Sequence, residues 1–270
     1  MSQCISLMIA SLVTCGLCIV ALVRHEIAIR ENGRLLVYCA ASNRAVMDDI
    51  RTSYEKDFGR KVDIQYGASQ TLLANLTLSR QGDIYIPADE IFLQSAIDND
   101  LVRQTKQLAA MNVVALVSSG NPKAIRDFDD LLRDDVRLVL ASDQSAAIGR
   151  RLKKTLQLSR RWEDLRKATR GFRGTVTEAA NDVAVGAADV TIVYDVVARR
   201  YPSLMAFTLR ELEQARSTVS AGVLCWSDDS GRASNFVEYL STADGGKRLF
   251  SRHGFDVDEV SLRSGGSDDG

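Results

Sequence analysis

Two serines and an alanine recur at one kind of place in this sequence. Ser42 follows the apolar run at residues 35–40 and opens a helical stretch beginning near Asn43. Ser69 follows the alternating run 62–66, within Tyr66-Gly67-Ala68-Ser69-Gln70, and opens another. Ala88 follows residues 83–87 and opens a third. In a parallel α/β sheet such turns share one edge, at the carboxyl ends of the strands, where ligands bind. Helix N termini gathered there present unpaired N–H groups and positive dipole ends, an anion site that needs no charged side chain. The competing reading of Ser42 and Ser69 is two ordinary N-caps. Enzyme chemistry finds little support. There is no nucleophile elbow, no phosphate-binding glycine loop and no Cys/His ligand cluster. Two histidines exclude a histidine-rich metal site, and His253, in Arg252-His253-Gly254-Phe255, reads as a helix-end cation.

The elements that must position these residues alternate. Apolar or alternating runs at 35–39, 62–66, 83–87, 113–117, 137–141, 174–176, 190–194 and 221–226 predict strands. Helical patterns fall between and after them, at 43–58, 71–80, 90–99, 122–132, 147–158, 178–187, 233–240 and 245–253. Val46, Ile50, Tyr54 and Phe58, four apart, form one helix stripe. This cadence predicts an α/β fold with largely parallel sheets.

Composition bounds the rest. Thirty-four basic residues against thirty-five acidic ones, a net charge of −1, argue against a nucleic-acid coat. Residues 5–23 carry no charge and as a helix would span about 28 Å, close to a bilayer's apolar thickness. An uncleaved membrane anchor is the favoured reading, ahead of a cleaved signal peptide and of a lipid-modified Cys15. A buried core helix is the remaining alternative. The Gly/Ser/Asp tail at 263–270 predicts disorder. Cys39 and Cys225 sit in apolar runs and read as buried, unpaired thiols, with a disulfide between them the alternative. Residues 150–173 carry ten Arg/Lys against two acids, a run that could steer anions or face anionic lipid, or simply be a solvated helix face.

The stretch VYCAASNRAVMDDIRTSYEKDFGRKVDIQYGASQTLLANL, with GDIYIPAD behind it, resembles the start of the molybdate-binding proteins of ABC importers. Gly149-Arg150, the run GAADVTIVY at 186–194, ASNFVEYL at 233–240 and His253-Gly254-Phe255 continue the likeness in order over residues 34–256. The resemblance implies a two-lobed periplasmic-binding-protein-like (type II) fold, each lobe a mostly parallel sheet flanked by helices. Its implied layout is an N-terminal segment at 1–33, lobe 1 at 34–112 with 225–262 returning to it, and lobe 2 at 113–224, with crossings near 113–117 and 219–224 as a hinge. It also implies a non-enzymatic, monomeric receptor without a cofactor, whose ligand is molybdate or tungstate. Ser42 and Ser69 would hold the oxyanion by N–H and hydroxyl, Ala88 and Val176 by N–H, and Tyr194 by its phenol. The implied partners are a permease and its ATPase, at the outer face of the cytoplasmic membrane or in the periplasm. Pro87 departs from the family's usual Ser, and Asn43 from its Leu. A receptor for another anion, or a membrane-tethered sensory module of the same fold, are the rival readings.

Overall fold

The computed structural model describes residues 33–257. The apolar run at 5–23 and the tail at 263–270, with the anchor, signal and disorder readings placed on them, lie outside the described residues. Among the described residues no helix is long and apolar enough to cross a membrane.

The chain runs β1 (Leu35–Ala40), α1 (Arg44–Phe58), β2 (Val62–Gly67), α2 (Ser69–Ser79), β3 (Ile84–Ile86), α3 (Glu90–Asp98) and β4 (Val102–Met111). It continues through β5 (Val113–Val117), β6 (Leu138–Ala141), α4 (Ala147–Gln157), α5 (Arg161–Ala168), β7 (Thr169–Arg173), α6 (Val176–Ala184), β8 (Val190–Tyr194), α7 (Asp195–Ala198) and β9 (Met205–Phe207). It closes with β10 (Ser217–Leu224), α8 (Ser230–Ser241) and α9 (Gly246–Arg252). Two five-stranded sheets result, in the orders β2-β1-β3-β10-β4 and β7-β6-β8-β5-β9. In each, three strands pair in parallel and one reversed strand, β10 or β5, pairs antiparallel on both of its sides, so four of the five strands run the same way and each sheet is mostly parallel, as expected.

Each sheet is the floor of one lobe. Helix α1 forms because Val46, Met47, Ile50 and Tyr54 make one buried stripe, and it stops at Gly59, which takes a left-handed φ of 65°. Tyr54 meets Phe236 edge-on at 4.7 Å between ring centroids, which fastens the late helix α8 to lobe 1. The chain passes between sheets at Asn112, the single residue separating β4 from β5, and returns before Ser217. Residues 217–224 therefore pair in the first sheet, where the sequence reading had ended lobe 2 at 224.

Several predicted elements move. The helix expected at 122–132 is absent apart from a 3-10 turn at Asp129–Leu132. Side chains take the backbone there instead: Asn121 Oδ1 accepts the Ile125 amide and Asp130 Oδ2 the Arg126 amide, the local competition that keeps Asn and Asp out of helices. The strand expected at 174–176 lies earlier, as β7. Val176 begins α6 instead, because Thr175 and Glu178 form a reciprocal capping box. Strand β10 starts four residues before the predicted 221. Strand β4 and helix α5 were not predicted. β4 is an edge strand whose first half is mostly polar and half-buried or exposed, so only its last four residues, Leu108–Met111, carry an apolar signal.

Candidate functional site

The turns after β1, β2 and β3 all reach one point. Ser42 sits buried in the 3-10 turn Ala41–Asn43 directly after β1. Ser69 is the first residue of α2 and is buried as well. Neither serine is an N-cap. The cap positions belong to Ala40 and Ala68, and neither helix start has a side-chain cap. The Ser69 hydroxyl instead accepts the Ala88 amide at 3.2 Å, which leaves its own proton free to point elsewhere. Tyr85 donates to the Ser69 carbonyl at 2.8 Å and fixes that turn from below.

Lobe 2 supplies three matching turns, after β6, β7 and β8. Helix α4 begins at Ala147 without a side-chain cap. Gly149 brings this helix close to the end of β6: a Cβ there would lie 2.5 Å from the Ser142 backbone. Val176 opens α6 and is buried, and Tyr194 ends β8 with its side chain almost wholly enclosed. Burial pushes the Tyr194 phenol far above its usual range, so it remains a proton donor.

Ser42, Ser69, Ala88, Val176 and Tyr194 all line a single cavity of about 20 Å³ between the lobes. That is just above the space one water needs. No Lys, Arg, His, Asp or Glu is among its lining residues. The arrangement can therefore receive a small ion on backbone N–H groups and hydroxyls, and it offers no group that titrates near neutrality. The lobes are closed over it: the Gln70 amide donates across the cleft to the Ser145 carbonyl at 3.1 Å, and Arg150 stacks over Phe92 at 4.4 Å.

Two parts of the site escaped the sequence reading. The first is the start of α4, where Ala147 and Ile148 also line the cavity. It obeys the same strand–turn–helix grammar as Ser42 and Ser69 but carries no hydroxyl to mark it. The second lies just behind Ala88. Asp89 is fully buried, caps α3 by accepting the Ile91 amide, and takes a two-pronged ion pair from Arg151 at 2.7 Å on each prong. Burial raises the Asp89 carboxyl, against the pull of Arg151, Ser217 and the Ile91 amide. Burial also works against the Arg151 charge, but Asp89 outweighs it and holds that guanidinium charged. Of the three lobe-1 helix starts expected to face the anion, that of α3 is thus occupied by a carboxylate of the chain itself.

Four of the ten basic residues at 150–173 pair with acids from elsewhere. Arg151 pairs with Asp89, Lys153 with Asp143, Arg161 with Asp129 and Arg173 with Asp182. His253 meets Asp49 of α1 at 2.9 Å, and that hydrogen bond is the main cause holding the Asp49 carboxyl below its ordinary range. Cys39 is buried and free as expected. Cys225 is free but exposed, because β10 ends one residue before it.

A family model described as bacterial extracellular solute-binding protein matches residues 35–256. A protein of Mycobacterium tuberculosis named molybdate-binding protein ModA is 26% identical over 82% of this chain and 84% of its own length. Among solved structures, the periplasmic molybdate-binding protein of Azotobacter vinelandii matches with a TM-score of 0.69 at 17% identity, over 82% of this chain and 98% of its own. The sulfate-binding protein SubI of M. tuberculosis matches equally well in shape, with a TM-score of 0.69 at 20% identity over 85% of this chain and 89% of its own.

Proposed function

The chain belongs to the bacterial extracellular solute-binding proteins, and on that premise we propose that it captures a compact tetrahedral oxyanion, molybdate or tungstate, for an ABC importer. The observation that carries this reading is the cavity of about 20 Å³ between the lobes, lined by helix starts and hydroxyls without an ionisable side chain other than the tyrosine. Its lining of amides and hydroxyls, without a charged side chain, suits a compact anion.

In this reading Ser42 and Ser69 donate both amide and hydroxyl to the oxyanion. The Ala88 amide orients the Ser69 hydroxyl by donating to its oxygen, so it acts through that serine. Lobe 2 brings the Val176 amide, the α4 start at Ala147 and the Tyr194 phenol. Closure excludes water, and each N–H···O⁻ bond strengthens in the lower dielectric. A rigid set rich in donors and without a carboxylate favours a fully ionised dianion. A protonated phosphate brings a hydrogen that finds no carboxylate to accept it. The partners are a permease and its ATPase, and the protein works outside the cytoplasmic membrane as a monomer.

Sulfate is the second reading, supported by the likeness to the sulfate-binding protein. It has the same charge and a smaller radius, so cavity size decides between the two. Calorimetric titration with molybdate, tungstate, sulfate and phosphate tests both. The proposal expects molybdate and tungstate at about micromolar or tighter, with sulfate at least about tenfold weaker. Tighter sulfate binding moves the assignment to sulfate. Four ions all weaker than about millimolar would end the oxyanion reading.

A further inference from the structure

A buried polar chain runs from one lobe to the other beside the cavity. On lobe 1, Asp89 sits in the turn between β3 and α3 with no exposed surface. On lobe 2, Arg151 projects from α4 with its side chain 11% exposed and grips both Asp89 oxygens. Ser217, the first residue of the returning strand β10, donates its hydroxyl to Asp89 Oδ2 at 2.5 Å. The same Ser217 oxygen lies 3.2 Å from the Tyr194 hydroxyl. Glu90 comes within 3.4 Å of Arg151 from the half-exposed side.

The protons in this chain can be counted. Asp89 in an Arg151 fork is ionised and donates nothing. Ser217 has one proton and directs it to Asp89, so the 3.2 Å contact can be a hydrogen bond only if Tyr194 donates. In the closed form Arg151, Asp89, Ser217 and Tyr194 thus satisfy one another. Opening the lobes would pull Arg151 from Asp89 and break the chain at its charged link.

We propose that the Asp89–Arg151 pair is a latch between the lobes, which stabilises the closed form without touching the ligand and makes Arg151 a positioning residue for binding. It rests on the lobes forming one closing site, and not on which anion that site takes. As the lobes close, the bound ion competes with Ser217 for the Tyr194 proton. The direction of an Arg151 change is set by electrostatics. A buried pair adds little net stability because desolvation offsets attraction, but removing one partner strands a buried charge. Here the stranded charge would be a carboxylate beside an anion site.

The reporter is the Gln70 amide. It lies in the first turn of α2, where it has no partner within the helix, and it donates across the cleft to Ser145. Hydrogen exchange on the full-length protein, without added anion, should show Gln70 protected in the wild type. In Arg151→Met it should exchange at least about tenfold faster, while amides in the middle of α1 and α8 keep their rates. Molybdate affinity of Arg151→Met should fall about 100-fold. Where that variant does not fold, Arg151→Lys keeps the charge without the fork and should expose Gln70 partially. An unprotected Gln70 in the ligand-free wild type, or equal Gln70 rates in wild type and variant, overturns the latch. Because exchange is read without ligand, it stands or falls separately from the oxyanion assignment.

Discussion

Laid over each other in strand order, the two sheets set equivalent residues to equivalent tasks. Asp83, just before β3, accepts the Leu36 amide of β1 at 2.8 Å, and Asp189, just before β8, accepts the Arg137 amide ahead of β6 at the same distance. At the opposite edge Ser42, Ser69 and Ala88 of lobe 1 answer Ala147, Val176 and Tyr194 of lobe 2. There the lobes part company: one offers two hydroxyls on short side chains, the other two apolar helix starts and a phenol. The next residue in each lobe is an aspartate, Asp89 fully buried and Asp195 half-buried, and in both the carboxyl is raised by burial. Asp195 is met at home, by the Asn112 side chain at 3.0 Å and the Val196 amide. Asp89 is met by the other lobe. The same position therefore braces the fold in one lobe and links two bodies in the other, and only the second can respond when the cleft opens.

The comparison can be broken at graded cost. The largest effect belongs to the lobe-1 hydroxyls: Ser42→Ala with Ser69→Ala removes two hydrogen bonds to a charged group, each about 1.5–3 kcal/mol, and should weaken molybdate binding more than about 100-fold by calorimetry. Unchanged affinity refutes their assignment. Asp89→Asn should cost about 30-fold or more in affinity, whereas Asp195→Asn, its counterpart, should cost less than about threefold while lowering the melting temperature. Equal losses from the two would erase the distinction between linking and bracing. Tyr194→Phe should weaken binding by about tenfold with little change in melting temperature, since it removes one donor and no packing. The smallest effect is at the far edge, in Asp189→Asn. Hydrogen bonds from Arg137 hold the Asp189 carboxyl below its ordinary range. Its contribution is therefore present above the unfolded pKa and lost as pH falls through the lower folded value. Thermal melts should show the variant a few degrees less stable at pH 7, with the gap closing below about pH 4.

Much of this architecture was legible in the chain because its central strands are short apolar runs bounded by turns. Ser42, Ser69 and Ala88 could be placed on one edge from that grammar alone, and Val176 and Tyr194 through the likeness to known receptors. The missed elements share a cause. β4 and β7 are edge strands: the first half of β4 is mostly polar, and β7 alternates between half-buried and exposed residues, so neither shows a full apolar run. Residues 122–132 contain helix-like apolar spacing, but Asn121 and Asp130 bond the backbone locally and override it. Arg151 was hidden in plain view within a basic run. Its partner lies sixty-two positions away in another lobe, and no local pattern marks a pairing at that distance.

The two lobes also differ in how the chain supplies them. Lobe 2 is built from one unbroken stretch, from β5 to the turn at Arg210–Leu212. Lobe 1 has strands β1 to β4 from the beginning but borrows β10, α8 and α9 from the end, with Tyr54 waiting for Phe236. β10 sits between β3 and β4, so the first sheet stays split until the last quarter of the chain is available. During synthesis the second lobe can mature while the first remains unfinished. Contacts that close such long loops are slow to form, which prolongs the interval in which the chain is open. The front half of the chain can therefore complete its core only after the last strand to join it has been made.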